Sequence, residues 1–211
     1  MAPALQVSPQ DAILDAALRL LPQHGYRKTT LDLLAEESGV ARRSIYVHFP
    51  GKEEIFLASI DRVVERVLAE LAAIAAERSP AATRVWRMIV ARVMTRFDAV
   101  RHYRESLDEM LADLRDQYLE RRERYFEAEA RVLARVLDDG VRAERWNIDD
   151  TLAAARVVVH ATNSLLPYSL SRKELGSRSA VQERAASLAS LLVRGLTAPS
   201  ERERPSPRSK R

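Results

Sequence analysis

The stretch Thr29 to Lys52, TTLDLLAEESGVARRSIYVHFPGK, most constrains the fold, because it makes two short helices meet at a tight turn. Leu31, Leu34 and Ala35 recur at helical spacing and give the first of the two one apolar face. Thr29 is expected to cap it, with Asp32 three residues on in the capping-box arrangement. Ser38-Gly39-Val40 ends it, since Gly39 can take the left-handed conformation that a tight helix exit needs. The next helix, Ala41 to Phe49, is too short and too polar to be a core helix. Ile45 and Phe49 lie on one side of it; Arg43, Tyr46 and Val47 fall roughly opposite, and Arg42 stands at its N-terminal end. From Ser38 to Lys52 there are three cations and no acid. A helix with cations and an aromatic on its exposed face, held by a helix in front, is what reading a DNA major groove requires.

These residues resemble the DNA-binding region of the TetR family of bacterial transcriptional regulators. The matching pieces are ILDAALRLL (13–21), HGYRKTTLDLLAEESGV (24–40) and SIYVHFPGKEEIF (44–56), within residues 9–57. The Ile-Tyr-x-His-Phe run followed by a Lys is the most specific of them. Two positions depart from the family pattern: Ala41 and Gly51 stand where Ser, Thr or Asn often caps a helix, weakening each cap by about 1 kcal/mol or less. The resemblance implies an all-α protein. Residues 8–51 would be an N-terminal three-helix DNA-binding domain with the helix-turn-helix, and 52–197 a larger helical ligand-binding and dimerisation domain. It further implies a homodimer on a palindromic operator in double-stranded DNA, a small-molecule effector and no cofactor.

Nearly everything from Ser8 to Leu196 reads as helix, and no strand pattern competes with it. Ser8-Pro9-Gln10-Asp11 starts the first helix, with Ile13, Ala17, Leu20 and Leu21 as its apolar stripe and Gly25 at its end. A fourth helix is expected over about 52–78 and a fifth, capped by Ser79-Pro80, to about Val100. One or two more span 102–137 and stop near Gly140; another runs from Asn147 to Pro167. Ser179 to Gln182 forms a capping box for the last helix, which ends near Gly195. Residues 198–211, rich in Pro, Ser and Arg, are expected to be a disordered basic tail.

The net charge of +4 says less than its placement: residues 197–211 hold five cations and two acids, whereas residues 1–51 balance at five of each. The chain has no cysteine, which removes disulfides, thiolate metal sites and a Cys nucleophile. With no signal pattern and no apolar run of membrane-spanning length, a cytoplasmic protein without membrane contact is expected.

Candidate DNA contacts follow. Arg42 and Arg43 can hydrogen-bond guanine O6 and N7, each good contact giving ~1–3 kcal/mol of base discrimination; Arg43, facing away from the core side, is the better placed. Tyr46 and His48 match family positions that approach the phosphate backbone, and Val47 could touch a thymine methyl. Ser44 lies on the same helix; Lys52 opens the fourth helix, where backbone N–H groups favour an anion, and Thr30 stands at the start of the second.

Leu152, Ala155, Val159, Thr162 and Leu166 recur at three- and four-residue steps, as do Val181, Ala185, Leu188 and Leu192. Two narrow stripes of this kind suit a helix-on-helix seam, and the resemblance implies a dimer interface there; covering the subunit's own core is the plainer alternative. For an effector cavity the candidates are Trp86, Ile89, Val93 and Phe97, then Tyr125, then His160 and Asn163, a lining suited to a mainly apolar ligand with one or two polar handles.

An enzyme is disfavoured: the four histidines are scattered, and no phosphate loop, nucleophile elbow or zinc-protease helix is present. Asp98, His102 and Glu105 share a helix face but read as a surface charge cluster rather than a metal site. A transcriptional activator of the same fold, or a helical interaction protein without DNA readout, are the alternatives to a ligand-released repressor.

Overall fold

The computed structural model describes residues 8–170 and 172–197. Among them the fold is all-α, with no strand. The helices are α1 (Pro9–Lys28), α2 (Leu31–Ser38), α3 (Arg42–His48), α4 (Lys52–Ala75), α5 (Ala81–Val100), α6 (Arg104–Glu144), α7 (Thr151–Ala161), α8 (Arg172–Leu175) and α9 (Arg178–Leu196). Two 3₁₀ turns, Thr162–Leu165 and Pro167–Ser169, join α7 to α8. No helix among the described residues is long and apolar enough to cross a membrane.

By packing, the chain forms two compact units, each discontinuous in sequence. The first takes residues up to Arg66, Thr95–Tyr125 and Leu166–Gly176; the second takes Val67–Met94, Phe126–Leu165 and the residues from Ser177 on. In the first, Ile13, Leu21, Leu34, Ile45, Ile55 and Phe56 are fully buried and form the core beneath the helix-turn-helix. In the second, Met88, Ile89, Leu133, Leu137, Val158 and Val159 are buried. An ion pair between Arg92 of α5 and Glu129 of α6 is buried there too, with Arg92 Nη1 donating to Thr162 Oγ1 at 2.8 Å.

Several expected boundaries move, each for a local reason. Ser8 caps α1 as expected, its hydroxyl accepting from Asp11 N at 3.0 Å. Gly25 interrupts α1 at φ +74°, and Tyr26 to Lys28 form a separate last turn. The cap of α2 is Thr30, not Thr29: Thr30 Oγ1 accepts from Leu33 N at 3.3 Å, while the buried Thr29 donates to Gly25 O at 2.7 Å. The N-terminus of α5 is satisfied from α6, where Glu144 Oε1 accepts from Ala81 N at 2.6 Å, and Ser79 Oγ caps nothing.

Gly140 does not end α6. The helix runs on to Glu144, and Gly140 makes room for an indole: a Cβ there would stand 2.5 Å from Trp146 Cδ2. Helix α7 begins after Asp150, whose carboxylate accepts from Ala153 N at 2.9 Å, and stops at Ala161 rather than Pro167. Ser177, not Ser179, caps α9, accepting from Ala180 N at 3.2 Å. The short α8 lies between the helix expected to end at Pro167 and the last one. The expected tail, 198–211, lies outside the described residues.

Candidate nucleic-acid interface

Helix α3 is held from behind and left open in front. Gly39, at φ +69°, turns the chain out of α2, and Ser38 braces the turn, its hydroxyl donating to Leu34 O at 2.5 Å and accepting from Val40 N at 3.2 Å. Ile45 and Phe49 sink α3 into the core of the first unit, which fixes the rotation of the helix about its axis. Tyr46 is then 50% exposed and Val47 79% exposed, with Arg42, Arg43 and His48 also on the surface and Ser44 half-buried. Among the described residues four large apolar side chains are exposed, and two of them stand on this seven-residue helix. A solvent-facing Val at that exposure has no packing role, so the face is uncommitted within the chain.

The two arginines differ. Arg42 Nη1 lies 2.8 and 3.0 Å from the carboxylate oxygens of Asp32 on α2. The Tyr46 hydroxyl, and next Asp32, raise the pKa of its guanidinium still further, so it is cationic at any working pH. Arg43 makes no ion pair or side-chain hydrogen bond among the described residues. It is exposed. Thr30 is exposed, and its hydroxyl keeps its proton to donate while its oxygen caps α2.

Lys52 is more occupied than an exposed lysine. Its ammonium donates to Tyr26 O at 3.1 Å and Arg27 O at 3.4 Å, and lies 4.4 Å from the centroid of the Tyr26 ring. The first turn of α4 also carries Glu53 and Glu54, which answer the helix N-terminus with negative charge. Lys52 thus ties α4 to the end of α1, with one of its three donors left over. Tyr26 also packs edge-on against Phe56, ring centroids 5.1 Å apart, and burial, ahead of Glu53 and Asp113, pushes its phenol up to about 12.

Residues 13–59 of this scaffold match the family model described as bacterial regulatory proteins, tetR family. This N-terminal segment, 47 of the 211 residues, is thus similar to the TetR family. Among curated proteins the chain is 40% identical over 65 residues to the HTH-type transcriptional repressor ComR of Escherichia coli K12, covering 31% of each chain. It thus spans about a third of that relative's length. Across the whole fold it resembles a TetR transcription regulator from Haloarcula marismortui, with TM-score 0.70 and 18% identity, covering 90% of this chain and 98% of that one. It also resembles the transcriptional regulator FadR from Bacillus subtilis, solved in complex with stearoyl-CoA, with TM-score 0.63 and 18% identity over 87% and 97% of the two chains.

The C-terminal helices turn a different face outward from the one the stripes suggest. Ala155, Val159, Thr162, Leu166, Val181 and Ala185 are buried within the chain, and Leu152, Leu188 and Leu192 are half-buried. The stripes therefore chiefly cover the protein's own core, because α7 is apolar on nearly every side and periodicity alone cannot say which side faces in. The outward apolar residues of the second unit are Val157 on α7, 65% exposed, and Leu191 on α9, 60% exposed. Both sit off the stripes, and that isolation is the signal that could have marked them.

The pocket candidates do not share one cavity. Phe97 and Tyr125 belong to the first unit, and the other five to the second. Trp86 donates to Ser190 Oγ at 3.1 Å beside an open depression of about 380 Å³ shared with Thr83, Val193 and Arg194. Ile89 lines a void of about 10 Å³, too small for a ligand, and Val93 and Phe97 are buried. Tyr125 donates to Asp61. His160 is exposed, its ring edge-on to Phe126 at 5.4 Å, and Asn163 is half-buried. The reason is common to all seven: aromatic and branched side chains at helical spacing fill a core as readily as they line a cavity. Among the described residues no group of three or more His, Cys, Asp or Glu is arranged to hold a metal; His102 accepts from Arg101 Nε at 2.8 Å.

Proposed function

We propose that this protein is a sequence-specific DNA-binding transcriptional regulator, a repressor that binds a palindromic operator as a homodimer and is released by a small-molecule effector. The observation that carries the reading is the free face of α3. Arg43, Tyr46, Val47 and His48 project from a helix whose orientation two buried anchors lock, and Arg43 has no partner among the described residues. Pre-positioned, unsatisfied donors beside an exposed methyl-bearing side chain suit base edges in the major groove. Residues 8–51 act as the reading domain, with Thr30, Ser44 and the remaining donor of Lys52 on flanking phosphates and Arg42 steered by Asp32.

A single α3 spans too few bases for useful specificity, and two-fold pairing doubles the site. Val157 and Leu191 support pairing through the outward faces of α7 and α9, since apolar side chains exposed to that degree gain most by burial against a second copy. The relatives are named as regulators and repressors, and FadR was solved with an acyl-CoA; these support a repressor under effector control. By linkage, operator DNA then weakens effector binding by the same factor.

Selection of bound sequences from a random DNA pool tests the reading, with Arg43→Ala run beside the wild type. A palindromic motif degraded at matched positions in both half-sites by the variant is the expected result. No enrichment above background for the wild-type protein would overturn it. A reporter driven by the selected site separates repression from activation.

A further inference from the structure

The three cations between Ser38 and Lys52 are held in three different ways. Lys52 is tied to carbonyls of α1, Arg43 is exposed without a partner among the described residues, and Arg42 is matched by an acid. That acid, Asp32, stands in the first turn of α2, ten residues before Arg42 in the chain. Its two carboxylate oxygens lie 2.8 and 3.0 Å from Arg42 Nη1, and the Tyr46 hydroxyl flanks the same guanidinium.

Stability does not account for the pair. The side chains of Arg42 and Asp32 are 53% and 70% exposed, and a pair so open to water adds little to a fold and parts readily. The joint between α2 and α3 is made without it, by the Gly39 turn, the Ser38 hydroxyl and the fully buried Leu34 and Ile45. An acid in the first turn does favour α2 through the N–H groups of its N-terminus, but that role needs no arginine. On a surface turned toward phosphates the same carboxylate is repelled by every duplex.

We infer that Asp32 sets how strongly this protein prefers its operator over other DNA: it cancels the charge of Arg42 on any duplex and aims the guanidinium at one phosphate when α3 is seated. The inference rests on the DNA-reading function proposed above. Binding to arbitrary sequence is held by phosphate neutralisation, and each cation so used steepens the log–log salt dependence by about 0.9. A guanidinium with a carboxylate at 2.8 Å is close to neutral when viewed from beyond a Debye length, about 8–10 Å, so Arg42 adds little to that attraction. On the operator, Arg43 and Val47 bring α3 to full depth against the bases. Nη1 stays on Asp32, and the remaining N–H groups of the guanidinium, already pointed, meet a phosphate without the entropy loss of ordering a long side chain. Asp32 is a positioning residue acting through Arg42, and it weakens wrong sequences more than the right one.

Anisotropy titrations of the full chain with the selected operator and a scrambled duplex of equal length, from about 50 to 200 mM salt, test this. Asp32→Asn is expected to raise scrambled-duplex affinity roughly 3- to 10-fold near 0.1 M salt and to steepen its salt slope by about 0.9 per subunit in contact. Operator affinity should stay within about 2-fold, so the preference falls. In an Arg42→Gln background, Asp32→Asn should move both duplexes alike. Asp32→Glu keeps the charge and should keep the wild-type slope on the scrambled duplex. Equal shifts on both duplexes, a slope that does not steepen, or a preference that falls as far without Arg42 would each overturn the inference. Should Asp32→Asn lose helicity, Asp32→Glu decides alone: a slope steeper than wild type sinks the charge-cancelling role. A wild-type chain that binds both duplexes equally overturns the DNA-reading function itself. A selective wild type beside an Asp32→Asn variant of equal selectivity overturns the role of Asp32 and leaves that function standing.

Discussion

Helices α3 and α7 differ in how much contrast they carry around their circumference. In α3 two large apolar residues, Ile45 and Phe49 at its end, oppose arginines, a tyrosine and a histidine, so one rotation buries the anchors and every other strands charge. In α7 the run Leu152 to Val159 is apolar at all but Arg156, and three consecutive valines point in three directions. Burial keeps Val158 and Val159 and expels Val157. Polarity contrast selects the inward face of a helix; the number of apolar residues does not.

The largest test inverts that contrast. Glu129 is a charge on an inward face, offset by Arg92, which also lies 5.0 Å from the Phe126 ring. Glu129→Ala strands a buried guanidinium and is expected to cost about 3–5 kcal/mol in urea denaturation. The Arg92→Met, Glu129→Leu pair should stay within about 1–2 kcal/mol of wild type or exceed it. Next, Ile45→Ala removes the main anchor of α3 and should cost about 2–5 kcal/mol. If Val157→Ala cost as much in the monomer, the assignment of faces would be wrong.

Sedimentation of Leu191→Arg and Val157→Arg probes the outward faces of α9 and α7. Loss of dimer with unchanged helicity is expected, at roughly 10-fold or more in dissociation constant; a dimer of wild-type strength would move the seam elsewhere. On α3 itself, Arg43→Ala should lose about 10-fold in operator affinity, concentrated at one base step per half-site. Arg42→Ala, whose side chain Asp32 already engages, should lose less and uniformly across sequences.

The smallest effect is electrostatic. The hydrogen bond from Arg27, working against desolvation, holds the Asp113 carboxyl below its usual range. A depressed carboxylate pKa adds stability that is present above the unfolded value, about 3.9, and lost as pH falls through the lower folded value. Denaturation of Asp113→Asn beside wild type should show a constant difference from pH 5 to 8 that closes below about pH 4. A difference that persists at pH 2.5 would mean the side chain matters for something other than its charge.

Much of the first unit was legible residue by residue. Gly39 turns the chain at positive φ, Ser8 caps α1, and Ile45 and Phe49 are the anchors, because each answers a local demand that no distant residue can meet better. Reading faltered wherever a distant group took over a local task. Glu144 supplies the cap that Ser79 could have given α5, and Trp146 occupies the space that makes Gly140 a glycine without making it a stop. Lys52, a plausible phosphate ligand by position, is bonded to carbonyls of Tyr26 and Arg27, 26 and 25 residues earlier.

The sequence by itself determined the all-α class, the helix-turn-helix and the face α3 shows to solvent, since hydrogen bonds within a turn and the period of a helix are short-range and written in consecutive residues. Only the tertiary structure decided which sides of α7 and α9 turn outward. It alone also set the Asp32 carboxylate of α2 against Arg42 of α3, ten residues on, at 2.8 Å. Burial is a property of the whole packing, and a helix apolar on several sides leaves that choice to its neighbours.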